Sequence, residues 1–221
     1  MTSRSDRLWY AAALVLGIVP LWTTRHLPIV DLPQHLHLIS VLHRLGDATT
    51  LNPTTFTLRS ELTPYLGYYY LVSLLNWLLP LEMANRVFLS AYVVAFPLSV
   101  ALLLRALGRP AWPSVLTLPF AYGDSFAWGF VNFVAALPIA IASCALFALA
   151  VSDPARRRTW AALLAFAATA VLLFHVQAYA FLAVALPFLL LTTCRCRPAR
   201  DPLSLSLRIV PRISSNSLPI C

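Results

Sequence analysis

Asp31 and His35 are the first two side chains in this sequence whose types and spacing could perform chemistry. They lie four residues apart in the segment 28–38, PIVDLPQHLHL, directly after the first apolar run. Pro33 suits the first turn of a helix, because its φ is preset and its missing N–H has no intrahelical partner to lose there. A regular first turn would place the carboxylate of Asp31 and the imidazole of His35 on the same side of the helix.

Two interpretations of this pair remain open from the sequence. In the functional one, Asp31 is a general base or the ligand of a divalent cation and His35 is its partner, since a partly desolvated carboxylate can have a shifted pKa or hold a cation. In the structural one, Asp31 caps a helix and His35 is an amphipathic side chain at the level of the lipid headgroups.

The elements that would position these residues belong to a membrane protein. Hydrophobic residues make up 60% of the 221 positions, charged residues only 11%, and the mean hydropathy is +0.77, whereas about a quarter of the residues of a soluble domain are charged. We therefore predict an all-α, polytopic transmembrane bundle of about six spans, with membrane lipids as its surroundings. The net charge of +8 comes from arginines in short clusters between apolar runs. This pattern is typical of topology signals and not of a nucleic-acid surface, so no nucleic-acid partner is predicted.

The apolar runs define a membrane domain at 1–193. The predicted spans are residues 8–24, 84–107, 111–121, 126–151, 159–174 and 177–193. A large outer loop, 25–83, is predicted to carry amphipathic or interfacial helices at about 32–45 and 65–80. The tail 194–221 differs abruptly in composition, which is explained either by a disordered cytoplasmic segment or by a lost reading frame near Cys194.

The positive-inside rule then orients the chain. With residues 65–80 lying along the surface, every arginine cluster between spans falls inside, which predicts a multi-pass protein of the inner (plasma) membrane with a cytoplasmic N-terminus. The same topology brings Asp31, His35, Asp124 and His175 to the outer face. Ionisable residues at membrane level are costly and are therefore candidates for function.

Four further polar positions have competing interpretations. His175 and Gln177 interrupt an apolar run and could contact a phosphate or a sugar at the outer mouth, or could form a solvated turn. Arg59 in the outer loop could pair with a lipid phosphate through its planar guanidinium, or remain solvated. Asp124, within Tyr-Gly-Asp-Ser, also fits ordinary turn chemistry.

Several segments together resemble the N-terminal part of GT-C type glycosyltransferases, polytopic enzymes that use polyprenyl-phosphate-linked sugars. The first span is followed by an outer loop with an acidic residue before a helix, Asp31-Leu-Pro-Gln-His35. A later loop helix has aromatic residues after a proline, Pro64-Tyr-Leu-Gly-Tyr-Tyr-Tyr. A span then opens with Asn85-Arg86 and closes with Leu-Arg-Ala-Leu-Gly at 104–108, and Trp128-Gly-Phe-Val-Asn-Phe133 resembles other bacterial membrane proteins of this general type.

The resemblance implies that Asp31 activates an acceptor hydroxyl as a base or metal-site carboxylate, with Asp124 as a second acid. It implies a polyprenyl-phosphate sugar donor and a divalent cation. The acidic pair that the family often carries in its first loop is absent, since Leu32 follows Asp31. Family members usually have more than six spans, so this chain would be the front part of a longer transferase. The alternatives are a transporter or lipid-binding membrane component without catalytic activity, and a non-functional fragment.

Overall fold

Every regular element in the part of the chain that the structure describes is a helix. The computed structural model describes residues 4–50, 52–58 and 63–195. Its α-helices are α1 Arg4–Thr23, α2 Leu32–His43, α3 Asn52–Thr55, α4 Gly67–Asn76, α5 Leu81–Ala106, α6 Asp124–Trp128, α7 Val131–Ser152, α8 Arg157–Phe174 and α9 Val176–Arg195. The predicted all-α class is confirmed for these residues. Arg59 and nearly all of the predicted tail 194–221 lie outside them.

Three helical segments of the described chain are long and apolar enough to cross a membrane. They are α5, with 26 residues, α7, with 22 residues, and the 21-residue stretch Pro154–Phe174, which consists of a short 3-10 turn and α8. A helix of about 20 residues matches the hydrocarbon thickness of a bilayer. The described chain therefore has the character of a membrane protein with three candidate spans. Helix α9 contributes a shorter apolar stretch, Val176–Leu191.

The predicted segment 111–121 is a 3-10 helix, Trp112–Tyr122, and not an α-helix. Pro113 and Pro119 lie within it. Pro113 is tolerated in the first turn, but Pro119 removes a backbone donor inside the segment and disfavours the α-helical conformation of the residue before it, which favours the 3-10 form in so short a helix.

Side-chain contacts fix the directions of the helices. Trp22 near the end of α1 donates to Ser90 Oγ near the start of α5 (3.0 Å), whereas Tyr10 near the start of α1 donates to the carbonyl of Pro97 farther along α5 (3.2 Å). Helices α1 and α5 are therefore antiparallel. The 3-10 helix runs in the direction of α1, because its Ser114 lies 2.8 Å from the Tyr10 hydroxyl and its Tyr122 donates to the Gly17 carbonyl at 2.6 Å.

Tyr68 of α4 shows that α5 and α7 begin at the same level. Its hydroxyl donates to Asn85 Oδ1 at 2.7 Å, and its backbone N–H donates to Asn132 Oδ1 at 3.0 Å. Helix α8 ends at this level too, since Phe174 stacks on Phe88 of α5 with ring centroids 6.4 Å apart. We call this end of the bundle, which also holds α2, α4 and α6, the polar end.

Helix α5 ends in a Schellman motif. The N–H of Gly108 donates to the Arg105 carbonyl (3.0 Å) and that of Arg109 to the Leu104 carbonyl (2.7 Å). Gly108 has φ +70°, which favours glycine because it has no Cβ. The segment Leu-Arg-Ala-Leu-Gly thus has a purely structural role in ending a helix, whatever its resemblance to other proteins.

Candidate functional site

Asp31 is anchored by its backbone, and its carboxylate has no partner among the residues that the structure describes. The N–H groups of Val30 and Asp31 donate to the carbonyls of Ala127 and Trp128, at 3.0 and 3.2 Å, which attaches the start of α2 to the end of α6. Asp31 occupies the N-cap position of α2, but its side chain makes no capping hydrogen bond. Among the described residues this carboxylate has no hydrogen bond and no ion pair. A held backbone and a half-exposed, uncommitted acid are properties that a base requires.

Gly129 makes this close approach possible. Its φ is +93°, and a Cβ added there would lie 2.9 Å from the Asp31 nitrogen and 3.0 Å from the Asp31 Cβ. Only glycine combines this left-handed conformation with such close contact to another backbone. Helix α6 is held in turn by Phe126, a buried residue whose ring stacks on Tyr92 of α5 at 6.1 Å.

Asp124 begins the same short helix that anchors Asp31. Its side chain is exposed, and it lies in the first turn of α6, whose last residue is Trp128. The five residues of α6 rise by about 7 Å, so the two predicted acids belong to two elements that dock directly on each other. Sequence separation alone, 93 positions, does not indicate this proximity.

His35 is a neutral imidazole with both nitrogens satisfied. Its Nε2 lies 3.0 Å from the Gly129 carbonyl, which can only accept, so Nε2 carries the hydrogen. In the neutral ring Nδ1 then accepts from the Tyr69 hydroxyl at 2.6 Å. Burial lowers the pKa of His35, and the hydrogen bond to the Gly129 carbonyl and the charge of Asp31 oppose this shift only in part. His35 therefore clamps α2 to Gly129 and α4, beside Asp31.

Tyr68 and Tyr69 connect this clamp to the bundle. The Tyr68 ring lies edge-on to His35 at 5.7 Å and to Phe88 at 5.1 Å. Tyr68 is fully buried and Tyr69 half-buried, and burial raises the pKa of both hydroxyls. Both phenols therefore stay protonated at neutral pH and act as hydrogen-bond donors, to Asn85 and to His35 respectively.

His175 forms a second cluster, which has no direct contact with His35 among the described residues. It lies between α8 and α9, its Nδ1 accepts from the backbone N–H of Gln177 (3.2 Å), and its ring is edge-on to Tyr65 (4.6 Å) and Phe133 (5.1 Å). Tyr65 has φ +76°, an uncommon conformation for a bulky residue. Gln177 has an exposed side chain. Both candidates lie at the polar end, because Phe133 is near the start of α7.

The predicted residues thus fall into three groups. Asp31 and His35 both contact Gly129, and Asp124 begins the short helix that Gly129 follows. His175 and Gln177 occupy a neighbouring part of the same end, and Arg59 lies outside the described residues. The described chain holds no group of three or more His, Cys, Asp or Glu side chains that could bind a metal. Among the described residues, the metal role predicted for Asp31 is therefore not supported by a cluster of three such side chains.

An apolar groove of about 510 Å³ runs along α5 and α7 from the polar end. Its walls include Phe88, Tyr92, Leu98, Leu102, Pro138 and Phe174. From Phe88 to Leu102, α5 advances about 21 Å, so the groove follows much of a candidate membrane span. At the polar end of the groove, the Tyr68 ring contacts both Phe88, at 5.1 Å, and His35, at 5.7 Å.

Sequence reasoning missed Tyr69, Tyr68 and Gly129. The three consecutive tyrosines 68–70 were interpreted as interfacial aromatic residues, which is their usual role near a membrane. The only available signal for Gly129 was its place after Trp128 at the end of a short apolar helix, the usual place for a glycine cap. The clamp itself joins residues 34 and 94 positions apart, and no local pattern encodes such contacts.

Comparison of the chain with protein-family models, with curated proteins and with solved structures finds no match. The resemblance to GT-C type glycosyltransferases therefore stays a prediction from the sequence.

Proposed function

We propose that this chain is a GT-C-like membrane glycosyltransferase that transfers a sugar from a polyprenyl-phosphate donor at the outer face of the inner membrane. In this proposal the N-terminus is cytoplasmic, the chain crosses the membrane about six times, and the polar end faces outward. The observation that carries the proposal is the Asp31 carboxylate, which has no partner within the described part of the chain although hydrogen bonds from the backbone N–H groups of Val30 and Asp31 hold this segment on α6.

Asp31 acts as the general base. It takes the proton of an acceptor hydroxyl, whose oxygen forms a bond to the anomeric carbon of the donor sugar. The bond between that carbon and the phosphate oxygen breaks, and polyprenyl phosphate leaves with the electron pair. General bases typically contribute about 10²- to 10⁴-fold to a rate. The neutral His35 positions Asp31 through Gly129 and is not itself a base, because Tyr69 already occupies its Nδ1.

The remaining candidates act on the substrate. Asp124 is the second acid, on the element that carries Asp31. His175 and Gln177 contact sugar or phosphate groups at the mouth of the bundle, and Arg59 pairs with a phosphate. The strained backbone of Tyr65 beside His175 supports a role for this region, since unfavourable backbone conformations concentrate at functional sites.

The apolar groove between α5 and α7 supports a donor with a long hydrocarbon chain. It begins beside Phe88 and Phe174, close to the polar end, and continues along two candidate spans. A polyprenyl chain lying in this groove would bring its phosphate to the level of Tyr68 and His35.

Replacing Asp31 tests the proposal. The full chain in proteoliposomes receives a panel of polyprenyl-phosphate hexoses with ¹⁴C in the sugar, together with a membrane lipid extract as acceptor, and release of label from the donor is measured. Asp31→Asn should reduce transfer by about 100-fold or more. Thermal stability in detergent should not change, because the carboxylate makes no hydrogen bond. Asp47→Asn is the matched control, since Asp47 is a partly exposed acid whose side-chain partners within the described residues are its neighbours Arg44 and Thr49. Full activity of Asp31→Asn would rule out the base.

The same groove favours a second candidate function, a lipid-binding membrane component without catalysis. This function needs the groove but not Asp31. A diazirine-bearing polyprenyl phosphate should label α7 peptides in both cases, and labelling should fall when Ala142→Phe fills the groove. Labelling by the wild-type chain, with no sugar released from any donor, would favour the lipid-binding function over the enzyme.

A further inference from the structure

A second cavity lies against α2, and neither Asp31 nor His35 is among the residues that line it. It has a volume of about 220 Å³ and is bordered by Arg25 and His26 after α1 and by Glu82 and Arg86 in the first turns of α5. Two arginines and one glutamate give a formal charge of +1 with His26 neutral. No ion pair joins Glu82 to either arginine in the described structure. The cavity therefore has uncompensated positive charge.

Arg86 is held rigidly at the rim of this cavity. Its guanidinium donates to the Leu21 carbonyl through Nη1, and to the carbonyls of Thr24 (2.8 Å) and Arg25 (2.7 Å) through Nη2. These three hydrogen bonds satisfy the C-terminal carbonyls of α1 and its outgoing loop. A guanidinium has five N–H donors, so two remain available, and they are fixed in place before any ligand arrives.

Unlike Arg86, Arg25 does not use its guanidinium to hold other parts of the described chain. Its side chain is exposed and, within the described chain, it makes no hydrogen bond and no ion pair, while its backbone carbonyl binds Arg86. A pre-oriented guanidinium beside a free one is the arrangement that recognises phosphate oxygens. The first turns of α2 and α5 also border the cavity, and the partial positive charge of helix N-termini adds to the attraction for an anion.

The residues that line the cavity favour an amphiphilic ligand. Leu27, Leu32 and Leu36 form its apolar side, which suits a ligand whose phosphate is attached to a hydrocarbon part. The cavity lies where α1 ends and the candidate span α5 begins. Trp22, which is 45% exposed and bound to Ser90, lies beside this level, and tryptophan prefers the headgroup region of a bilayer.

We infer that Arg25 and Arg86 form a binding site for a phosphate ester, occupied by the headgroup of an anionic membrane phospholipid. A free phosphate ion would be bound by the same chemistry, in which two arginines donate hydrogen bonds to phosphate oxygens. The leucine wall and the headgroup-level position favour the lipid. Neither Asp31 nor His35 borders the site, so lipid binding there can be measured separately from the proposed sugar transfer.

The full chain, purified in detergent, is titrated with dioctanoyl phosphatidylglycerol, and bound lipid is counted by native mass spectrometry. Arg25→Gln should weaken binding by about tenfold or more, since hydrogen bonds to charged groups contribute on this scale. Arg109→Gln is the matched control. It removes one exposed arginine at the opposite end of α5 and should bind as the wild type does. Arg25→Gln should fold normally, because its side chain has no partner to lose.

The competing outcomes are distinct. Competition by millimolar inorganic phosphate as effective as the lipid itself would confirm the phosphate site and assign it to free phosphate. Equal binding by Arg25→Gln and Arg109→Gln, whether both normal or both weakened, would overturn the site. Asp31→Asn should bind phosphatidylglycerol normally even if transfer is lost, which separates this inference from the proposed enzyme.

Discussion

At the scale of single residues, the chemistry available at the polar end depends on which side chains already make hydrogen bonds within the described chain. His35 uses both nitrogens, on Gly129 and Tyr69, whereas the Asp31 carboxylate beside it uses neither oxygen. The acid is therefore the group available to a substrate, and the imidazole holds it in position. The sequence also predicts that His35 contacts the substrate directly, and this role stays a prediction.

His35 should make the stability of the chain depend on pH. Its folded pKa lies below the usual 6.5, so in acid the unfolded state binds the proton first. The neutral His35 therefore contributes its full stabilisation of the folded state above about pH 6.5. This contribution is lost as the pH falls through the lower folded pKa. We expect the thermal midpoint in detergent to drop more steeply from pH 7 to pH 5 for the wild type than for His35→Gln.

His175→Gln is the control for this experiment, because burial lowers the pKa of His175 as well. The double variant should have the flattest profile of the four proteins. Parallel profiles for the wild type and His35→Gln would mean that His35 does not titrate between the folded and unfolded states.

At the scale of elements, some boundaries can be predicted locally and others cannot. Pro33 predicts the start of α2, and the polar interruption at His175 coincides with the break between α8 and α9, since these signals act within one turn of helix. The 3-10 helix and the docking of α6 on Asp31 depend on proline spacing and on distant backbone contacts. For this reason the sequence indicated the acids but not the arrangement that brings them together.

Gly129 is a junction between α6, α7 and α2 that should be sensitive to substitution. Gly129→Ala should cost about 1–2 kcal/mol for the left-handed backbone, and more for the Cβ forced to within 3.0 Å of Asp31. Gly108→Ala is the matched control, because it has φ +70° but nothing within 4 Å of the added Cβ. Thermal unfolding should therefore show a clearly larger loss for Gly129→Ala.

Gly129→Ala and Gly108→Ala also show whether transfer activity depends on the anchoring of Asp31 or only on the stability of the fold. Displacing the start of α2 moves the Asp31 carboxylate without removing it, so we expect Gly129→Ala to lose transfer activity while Gly108→Ala retains it. Equal stability losses in the two variants would show that α2 and α6 do not dock closely, and the anchoring of Asp31 would then be wrong.

At the scale of the whole molecule, the parallel start of α5 and α7 constrains the topology. Tyr68 binds Asn85 and Asn132 together, so both helices begin at the polar end. If both cross a bilayer, the chain between them must return through it. The 3-10 helix provides this return, together with α6. Eleven residues at about 2.0 Å each span about 22 Å, less than the roughly 30 Å hydrocarbon core, which requires local thinning or burial against α1 and α5.

Cysteine accessibility in intact cells tests this route. In a background with the four native cysteines replaced by alanine, we make Ala48→Cys and Ala127→Cys at the polar end, and Arg109→Cys and Arg157→Cys at the other. All four positions are exposed. An impermeant thiol reagent should label the first two from outside, and the last two only after permeabilisation, because the arginine clusters are expected inside. Labelling of Arg109→Cys from the same side as Ala127→Cys would mean that residues 109–127 do not cross. The antiparallel relation of α5 to that segment would then require α5 to lie outside the bilayer as well, and the three-span basis of the membrane topology would fail.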